Sequence, residues 1–266
     1  MSRGLGDVYK RQGFYYEKDD TPGRHPLHEA GVYYIQEPSA MAPVSYLMED
    51  YDVVQKEAAD CQERILDLCA APGGKSTQIA ARMHEMYTSG KWKEQGLLIC
   101  NEIHPARAKI LSENVERMGI ANAMVTNETP QRLAEVFEDY FTRILVDAPC
   151  SGEGMFRKNE AACEEWNPEN VRLCAERQDG ILDCAASMLA PGGRIVYSTC
   201  TFAPAENEGS MTRFLLRHPE FHIVEVKKAE GMSAGVPEWA YFGEKMGQVL
   251  PEIAQTIRLW PQHLKG

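Results

Sequence analysis

The sequence predicts an α/β protein with a mostly parallel, doubly wound sheet. Short apolar segments alternate with longer helical ones from Arg64 onward, and a turn of small residues follows the first apolar segment. The chain has 266 residues, 44% of them hydrophobic and 25% charged, as in a soluble globular protein. We therefore expect one large α/β domain, with or without a short appendage.

The first strand and its turn are the segment around which the rest is organised. Ile65–Leu68 is an apolar run broken by Asp67, which suits a buried parallel strand. Pro72-Gly73-Gly74 interrupts the chain, and a helix is predicted from about Lys75. Ligands of such folds bind at the carboxyl ends of the strands, beside this turn.

Two ligand classes compete for the turn. Gly74-Lys75-Ser76 resembles the end of a phosphate-binding P-loop, but that loop needs a glycine where this chain has Cys69. Glu102 ends the next predicted strand, where an acidic residue holds ribose hydroxyls. The missing P-loop glycine and the position of Glu102 together favour an adenosine-bearing cofactor without a pyrophosphate, such as S-adenosylmethionine. An ordinary turn with a solvated Glu102 stays open, and nucleotide-phosphate binding is disfavoured but not excluded.

The remaining elements follow in order. Before the first strand, Tyr33–Ile35 is a short strand candidate, and Ala40–Asp50 suits a helix with Ser39 as its N-cap. Further strands are predicted at Leu97–Cys100, Ala123–Thr126, Arg143–Val146, Arg194–Tyr197 and Phe221–Val226, with a last, antiparallel one at Thr256–Trp260. Helices are predicted at about Lys75–Tyr87, Pro105–Met118, Gln131–Glu138, Pro168–Leu189 and Ala205–Arg217, and an irregular segment at Asp147–Asn167.

Charge and cysteine content limit the function classes. The net charge of −11 argues against a nucleic-acid partner, although less strongly for an enzyme that contacts one structured site. Eight cysteines without a C-x-x-C pair argue against a metal site and a disulfide framework, and indicate a reducing, cytoplasmic setting. No apolar segment is long enough to span a membrane, and Met1–Gln12 does not resemble a secretory signal.

Two cysteines follow predicted strands. Asp147 and Cys150 come just after the fourth strand, and Cys200 comes just after the fifth. Strands one, four and five are neighbours in a doubly wound sheet, so we expect their turns at one edge. The other cysteines are expected to be structural; they are Cys61, Cys69, Cys100, Cys163, Cys174 and Cys184.

Two thiols and an acid beside a methyl donor suggest a reaction. A thiolate that adds to carbon 6 of a pyrimidine makes carbon 5 enamine-like, so that carbon 5 can accept a methyl group. A base must then remove the proton from carbon 5, and the thiol must leave. A redox dithiol is an alternative, but such pairs usually occur as C-x-x-C.

The motifs resemble a known family. Residues 66–75, LDLCAAPGGK, residues 147–154, DAPCSGEG, and residues 198–201, STCT, are similar to signature motifs of RNA (cytosine-5) methyltransferases of the Sun/nucleolar-protein family. Residues 33–41, 155–158 and 258–261 resemble its bacterial RsmF-type branch, which modifies 16S ribosomal RNA. The resemblance covers Gly13–Gly266 and implies a Rossmann-like, S-adenosylmethionine-dependent methyltransferase fold.

The resemblance implies catalytic and cofactor-binding roles. Cys200 would be the nucleophile, Cys150 would help product release, and Asp147 would hold the edge of the cytosine ring and lie near the methionine part of the cofactor. The cofactor would be wrapped by Cys69, Ala70, Ala71, Pro72, Gly73, Gly74 and Lys75.

Further positions are implied in the same way. Glu102 would bind the ribose, Asn127 would contact the adenine, Arg107 would assist, and Lys158 would approach the target base or a phosphate. The implied partner is RNA, 16S rRNA or the small ribosomal subunit, with the protein as a monomer.

The chain also departs from the family pattern. We expect residues 1–12 to be foreign to the domain, 13–60 to pack on the cofactor domain, and 61–266 to form the catalytic domain. Family members carry RNA-binding regions at both ends, so a fragment that binds cofactor and RNA without turnover stays an alternative.

Overall fold

The computed structural model describes residues 13–49, 62–156, 160–241 and 247–263. The features predicted at Met1–Gln12, Asp50, Cys61 and Lys158 lie outside the described residues. The chain divides into two compact units. Of the described residues, the first unit holds those before Asp147 together with Ser187–Val196, and the second holds those of Asp147–Ala186 and Tyr197–Lys265.

A five-stranded, mostly parallel sheet forms the centre of the fold, in the order β3-β2-β1-β4-β5. β1 pairs in parallel with β2 and with β4, and β2 pairs in parallel with β3. The predicted α/β class and the adjacency of strands one, four and five are thereby confirmed. The strands are β1 Arg64–Asp67, β2 Leu97–Asn101, β3 Ala123–Thr126, β4 Phe141–Asp147 and β5 Leu189–Ser198.

Helices alternate with the strands, as predicted. They are α1 Pro26–Glu29, α2 Ala42–Leu47, α3 Gly74–Thr88, α4 Pro105–Arg117, α5 Pro130–Ala134, α6 Glu160–Glu165, α7 Pro168–Met188 and α8 Glu208–Arg217. Proline begins α4, where its missing N–H is harmless. None of the described helices is both long and apolar enough to cross a membrane.

The core of the first unit surrounds the β1–α3 turn. Ile65 of β1, Ile79 of α3, Leu98 of β2 and Leu111 of α4 are fully buried in one cluster. Burying such a side chain contributes about 1.5–3 kcal/mol each. The turn is therefore held on both sides, because the strand before it and the helix after it are both packed into this core.

The N-terminal segment differs from the prediction. Tyr33–Ile35 is not a strand; the Tyr33 hydroxyl instead donates to the carbonyl of Pro22 at 2.7 Å. A 3-10 turn at Ser39–Met41 precedes α2, and no side chain caps either element, so the predicted Ser39 cap is wrong. A short extended run becomes a strand only when it pairs with another.

The C-terminal strands also differ. Phe221–Val226 is irregular, and the backbone N–H of Ile223 faces the Glu252 carboxylate at 3.5 Å rather than a strand. The predicted antiparallel last strand exists as Ile257–Leu259, but it pairs with Met232–Ala234 in a separate two-stranded sheet.

Element boundaries shift where side chains bond to the backbone. The predicted helix from Ala205 is split at Asn207, whose amide donates to the carbonyls of Thr201 and Ala203 at 3.2 and 2.9 Å. The helix predicted at Gln131–Glu138 is the shorter α5.

Two further boundary predictions are wrong. The supposedly irregular Asp147–Asn167 contains a 3-10 turn at Glu153–Met155 and α6. Strand five begins before Pro191-Gly192-Gly193 rather than after it, with Gly192 at a φ of +75°.

The structural cysteines are only partly as expected. Cys100 and Cys174 are buried, whereas Cys163 is exposed, so its predicted burial is wrong. Burial raises the pKa of the Cys100 thiol to about 12, with help from the Asp67 carboxylate, which keeps this thiol protonated and unreactive.

Candidate active site

The β1–α3 turn of the first unit is tied down by hydrogen bonds. The Ser76 hydroxyl donates to the buried Asp67 carboxylate at 2.6 Å. The Ala70 N–H donates to the Asn101 carbonyl at 2.8 Å, and the Gly73 N–H to the Ala70 carbonyl at 2.8 Å. In a P-loop the corresponding hydroxyl would serve Mg²⁺, so its engagement by Asp67 disfavours that ligand class.

Glycine is required at two positions in this turn. Gly73 has a φ of +112°, in the region that side chains disfavour. A Cβ on Gly74 would lie 2.6 Å from the side-chain nitrogen of Gln36 and 2.9 Å from the Tyr34 ring. Gln36 and Tyr34 therefore lie against the N-terminus of α3, whose first N–H groups have no acceptor within the helix.

Arg107 joins two predicted cofactor-binding elements. Its Nη2 donates to the Ala71 carbonyl at 2.8 Å, and its Nη1 lies 3.3 Å from the Glu102 carboxylate. Glu102 is 2% exposed, and it also accepts the His104 N–H at 3.0 Å. The carboxylate is thus fixed in place, and its lone pairs exceed these two contacts.

Asn127 has a structural contact beside the predicted cofactor site. Its amide nitrogen donates to the carbonyls of Glu102 and Ile103 at 2.6 and 3.0 Å, so it supports the backbone after β2. An adenine contact by Asn127 stays a prediction. The amide oxygen would make it, because the amide nitrogen already donates to two carbonyls.

Asn101 was missed by the sequence reasoning. Its buried amide donates to the carbonyls of Leu68 and Glu128 at 3.2 and 3.0 Å, and its oxygen accepts the Thr126 hydroxyl at 2.9 Å. It links the ends of β1, β2 and β3. The available signal was an amide directly after the apolar run Leu97–Cys100.

The second unit brings the two predicted thiols together. The Sγ atoms of Cys150 and Cys200 are 3.2 Å apart. Cys200 is exposed and Cys150 is half-buried. The hydrogen bond to Cys200, together with burial, raises the pKa of Cys150 well above its ordinary value. The raised pKa keeps Cys150 protonated, and the two sulfur atoms lie within hydrogen-bonding distance of each other.

The turn at Ser151–Gly154 holds the segment Cys200–Phe202. A Cβ on Gly154 would lie 2.3 Å from the Cys200 carbonyl oxygen, so only glycine allows this approach. Three hydrogen bonds join this turn to the segment: from Gly154 N–H to the Cys200 carbonyl (2.6 Å), between the Ser151 and Thr201 hydroxyls (2.9 Å), and from Phe202 N–H to the Glu153 carboxylate (2.8 Å). These bonds position the thiols in addition to the contact between the two sulfur atoms.

Asp147 is oriented by a serine that the sequence reasoning did not single out. The Ser198 hydroxyl donates to Asp147 Oδ1 at 2.6 Å, and the Ala148 N–H donates to the Ser198 carbonyl at 2.8 Å. The predicted contact of Lys158 lies outside the described residues. Among the described residues, no group of three or more His, Cys, Asp or Glu side chains is arranged to hold a metal.

Comparisons with known proteins agree with these motifs. The family model of the 16S rRNA methyltransferase RsmB/F matches residues 56–265, and the N-terminal domain of 16S rRNA methyltransferase RsmF matches residues 8–38. The second match begins within Met1–Gln12, which the sequence analysis expected to be foreign.

Curated relatives are longer than this chain. Ribosomal RNA small subunit methyltransferase F of Cronobacter sakazakii is 37% identical over 246 residues, 91% of this chain and 47% of the relative. The protein of the same name from Serratia proteamaculans is 40% identical over 217 residues, 80% of this chain and 42% of the relative. The chain spans about half the length of the curated relatives it matches.

Solved structures share the Rossmann-like methyltransferase fold. A methyltransferase homolog from Pyrococcus horikoshii is 25% identical with a TM-score of 0.71, over 92% of this chain and 69% of that one. NSun6 from Pyrococcus horikoshii, solved with SFG, is 26% identical with a TM-score of 0.57, over 81% of this chain and 48% of that one. Given the family match over residues 56–265, the chain belongs to the 16S rRNA methyltransferase RsmB/F family.

Proposed function

We propose that this chain transfers a methyl group from S-adenosylmethionine to carbon 5 of a cytosine in 16S rRNA, through a covalent adduct with Cys200. The observation that carries the proposal is the thiol pair, with 3.2 Å between the Sγ atoms of Cys150 and Cys200. Methylation at carbon 5 needs a nucleophile and, later, help in releasing the product. An exposed thiol beside a protonated one suits these two tasks.

The first unit fits the cofactor. Gly73, with its positive φ, and Gly74, packed against Gln36 and Tyr34, give the turn its shape at the N-terminus of α3, and Arg107 fixes the buried Glu102 carboxylate for a ribose. The residues that would hold the cofactor are Cys69, Ala70, Ala71, Pro72, Gly73, Gly74, Lys75 and Glu102, with Arg107 as support. S-adenosylmethionine, when bound, supplies the methyl group as an electrophile.

Cys200 carries the covalent steps. Its thiolate adds to carbon 6 of the cytosine, an S–C bond forms, and the electron pair of the C5–C6 double bond becomes available at carbon 5 for the methyl group. After a base takes the proton from carbon 5, the double bond re-forms and the S–C bond breaks. Cys200 leaves as a thiolate, so the enzyme returns to its starting state.

Cys150 is suited to the second half of the reaction. The hydrogen bond to Cys200 is the largest cause that raises the Cys150 pKa in the free protein. Once the Cys200 sulfur is bonded to carbon, it no longer competes for that proton. This largest cause of the raised Cys150 pKa is then lost, while burial still raises it, and a Cys150 thiolate that forms at this stage would be placed to accept the proton on carbon 5.

The test is methylation of 16S rRNA or small ribosomal subunits with radiolabelled cofactor, followed by digestion to nucleosides. The wild-type chain should yield labelled 5-methylcytidine, and Cys200→Ala should yield none because alanine has no nucleophile. Label in another nucleoside, or undiminished label with Cys200→Ala, would contradict the proposal.

A cofactor-binding fragment without turnover is the second candidate, because the chain spans about half the length of its curated relatives. Calorimetry would then show S-adenosylhomocysteine binding while no RNA is methylated. Neither candidate binds ATP, so Mg²⁺-dependent heat with ATP would instead restore the nucleotide-phosphate interpretation.

A further inference from the structure

A buried polar pair lies behind the Cys150 turn. Gln178 of α7 and Glu206, in a 3-10 turn before α8, are each 0% exposed. The Glu206 carboxylate accepts the Ser151 N–H at 3.0 Å and the Gln178 amide at 2.7 Å. The same amide nitrogen donates to the Pro149 carbonyl at 3.0 Å. Both peptide neighbours of Cys150 are therefore tied to one pair.

The pair is itself held by surrounding elements. The Gln178 side-chain oxygen lies within hydrogen-bonding distance of the Tyr197 hydroxyl, at 2.9 Å, and of the Ser210 hydroxyl, at 3.2 Å. The Tyr197 hydroxyl also lies 2.7 Å from the Glu206 backbone carbonyl. With both amide groups engaged, Gln178 has little freedom to move, and it fixes Glu206 in turn.

Glu206 is an expensive residue to bury. Its Oε1 is buried and has no hydrogen-bond partner among the described residues. Burial raises the pKa of Glu206, a sign that the charged form is poorly compensated. An apolar side chain in its place would leave the Ser151 N–H and the Gln178 amide without this acceptor. What the buried carboxylate supplies is an acceptor for the peptide that follows Cys150 and for the Gln178 amide.

We propose that Glu206 is a positioning residue for Cys150, which holds the Pro149–Ser151 turn so that the Cys150 thiol meets the Cys200 sulfur. The catalytic meaning of this role rests on the proposed function. The positioning itself is a property of the free protein and can be measured without RNA or cofactor.

The experiment measures alkylation of the two thiols by iodoacetamide across a range of pH, with peptide mass spectrometry to follow each cysteine. In the wild-type chain, Cys200 should react faster than Cys150. Cys200 is exposed, whereas the raised pKa of Cys150 keeps the Cys150 thiol protonated. In Glu206→Ala, the turn is released, and the Cys200-to-Cys150 rate ratio should fall about fivefold, as expected for the loss of one hydrogen bond. The pH profiles should become those of two independent thiols.

Two further variants complete the design. Thr212→Val, on α8, removes a buried hydroxyl that has no described hydrogen-bond partner, so it should keep the wild-type ratio. Glu206→Leu refills the buried volume but removes both acceptor oxygens, so its ratio should fall as far as that of Glu206→Ala. If Glu206→Ala fails to fold, the Leu variant decides.

The positioning role is wrong if folded Glu206 variants stay within about twofold of the wild-type ratio, or if Thr212→Val shifts it as much. A shifted ratio in a chain that makes no 5-methylcytidine would support the positioning and contradict the proposed function. An unchanged ratio in a chain that does make 5-methylcytidine would contradict the positioning role and support the proposed function.

Discussion

At the scale of single residues, Cys150 and Cys200 lie in contact, with 3.2 Å between their Sγ atoms, but differ in their surroundings. Cys200 is exposed, whereas Cys150 is half-buried between neighbours that are tied to Glu206 and Gln178. This difference supports the proposed assignment of Cys200 as nucleophile and Cys150 as helper. Neighbouring residues that shape the pair can be tested separately from the thiols.

Gly154→Ala tests the contact between the two turns. The new Cβ would lie 2.3 Å from the Cys200 carbonyl oxygen, so the Cys200 segment must shift. We expect a loss of about 1–3 kcal/mol in the free energy of unfolding and slower alkylation of Cys200. The measurements are urea denaturation and iodoacetamide labelling.

Gly180→Ala is the matched control. Gly180 lies within α7, with no atom within 4 Å of an added Cβ, so alanine should stabilise the helix by about 0.5–1 kcal/mol. Equal effects of the two substitutions would argue that the close approach at Gly154 is unimportant.

Glu206→Gln makes a prediction about pH. The raised pKa of Glu206 means that the folded state favours the protonated form, so the wild type gains stability as the pH falls through that value. Glutamine does not titrate. The unfolding free energy of the wild type relative to Glu206→Gln should therefore rise as the pH falls toward the ordinary pKa of a glutamate, about 4.3. A difference that falls with acidity would contradict the assigned shift.

At the scale of elements, the β1–α3 turn depends on α4. Arg107 of α4 bonds to the Ala71 carbonyl and faces Glu102. Arg107→Ala should weaken S-adenosylhomocysteine binding by about 1–3 kcal/mol, because both elements lose an anchor. Calorimetry measures this.

Lys109→Ala is the control on the same helix. Its exposed contact with Glu113 is 3.9 Å long and worth little. Binding that is equally weak in both variants would mean that α4, rather than the Arg107 contacts, is what the cofactor needs.

Elements were predictable where the chain pattern alone decides them. The alternation of apolar runs and breakers located β1–β4 to within two residues, since buried parallel strands are continuous apolar runs, but it placed the start of β5 five residues too late. It failed at Tyr33–Ile35 and Phe221–Val226, because a strand also needs an edge to pair with.

The candidate site, like the elements, was predictable only where a local pattern in the chain marks a residue. Cys150 and Cys200 were found because each directly follows a strand. The Glu206–Gln178 pair was not found, because its members are 28 residues apart and meet only through the fold. Ser151 is 55 residues from the Glu206 carboxylate that binds it. No local pattern marks such partners.

At the scale of the whole molecule, charge is the feature that bears on RNA. The chain has 39 acidic and 28 basic residues. If few phosphates are contacted, the affinity for 16S rRNA should be weak, with a shallow dependence on salt. The longer Serratia proteamaculans relative should show a steeper slope in the same titration. Equal slopes would mean that the relatives' additional residues do not supply the basic surface.

The central claim is that Cys200 forms the covalent bond and that Cys150 acts afterwards. The most direct measurement is denaturing gel electrophoresis of each variant after incubation with 16S rRNA and S-adenosylmethionine. Cys150→Ala should accumulate a protein–RNA species that survives denaturation, because attack proceeds but release is slow. Cys200→Ala and the double variant should lack that species. A species that accumulates in Cys200→Ala and is absent from Cys150→Ala would reverse the two roles and contradict the account.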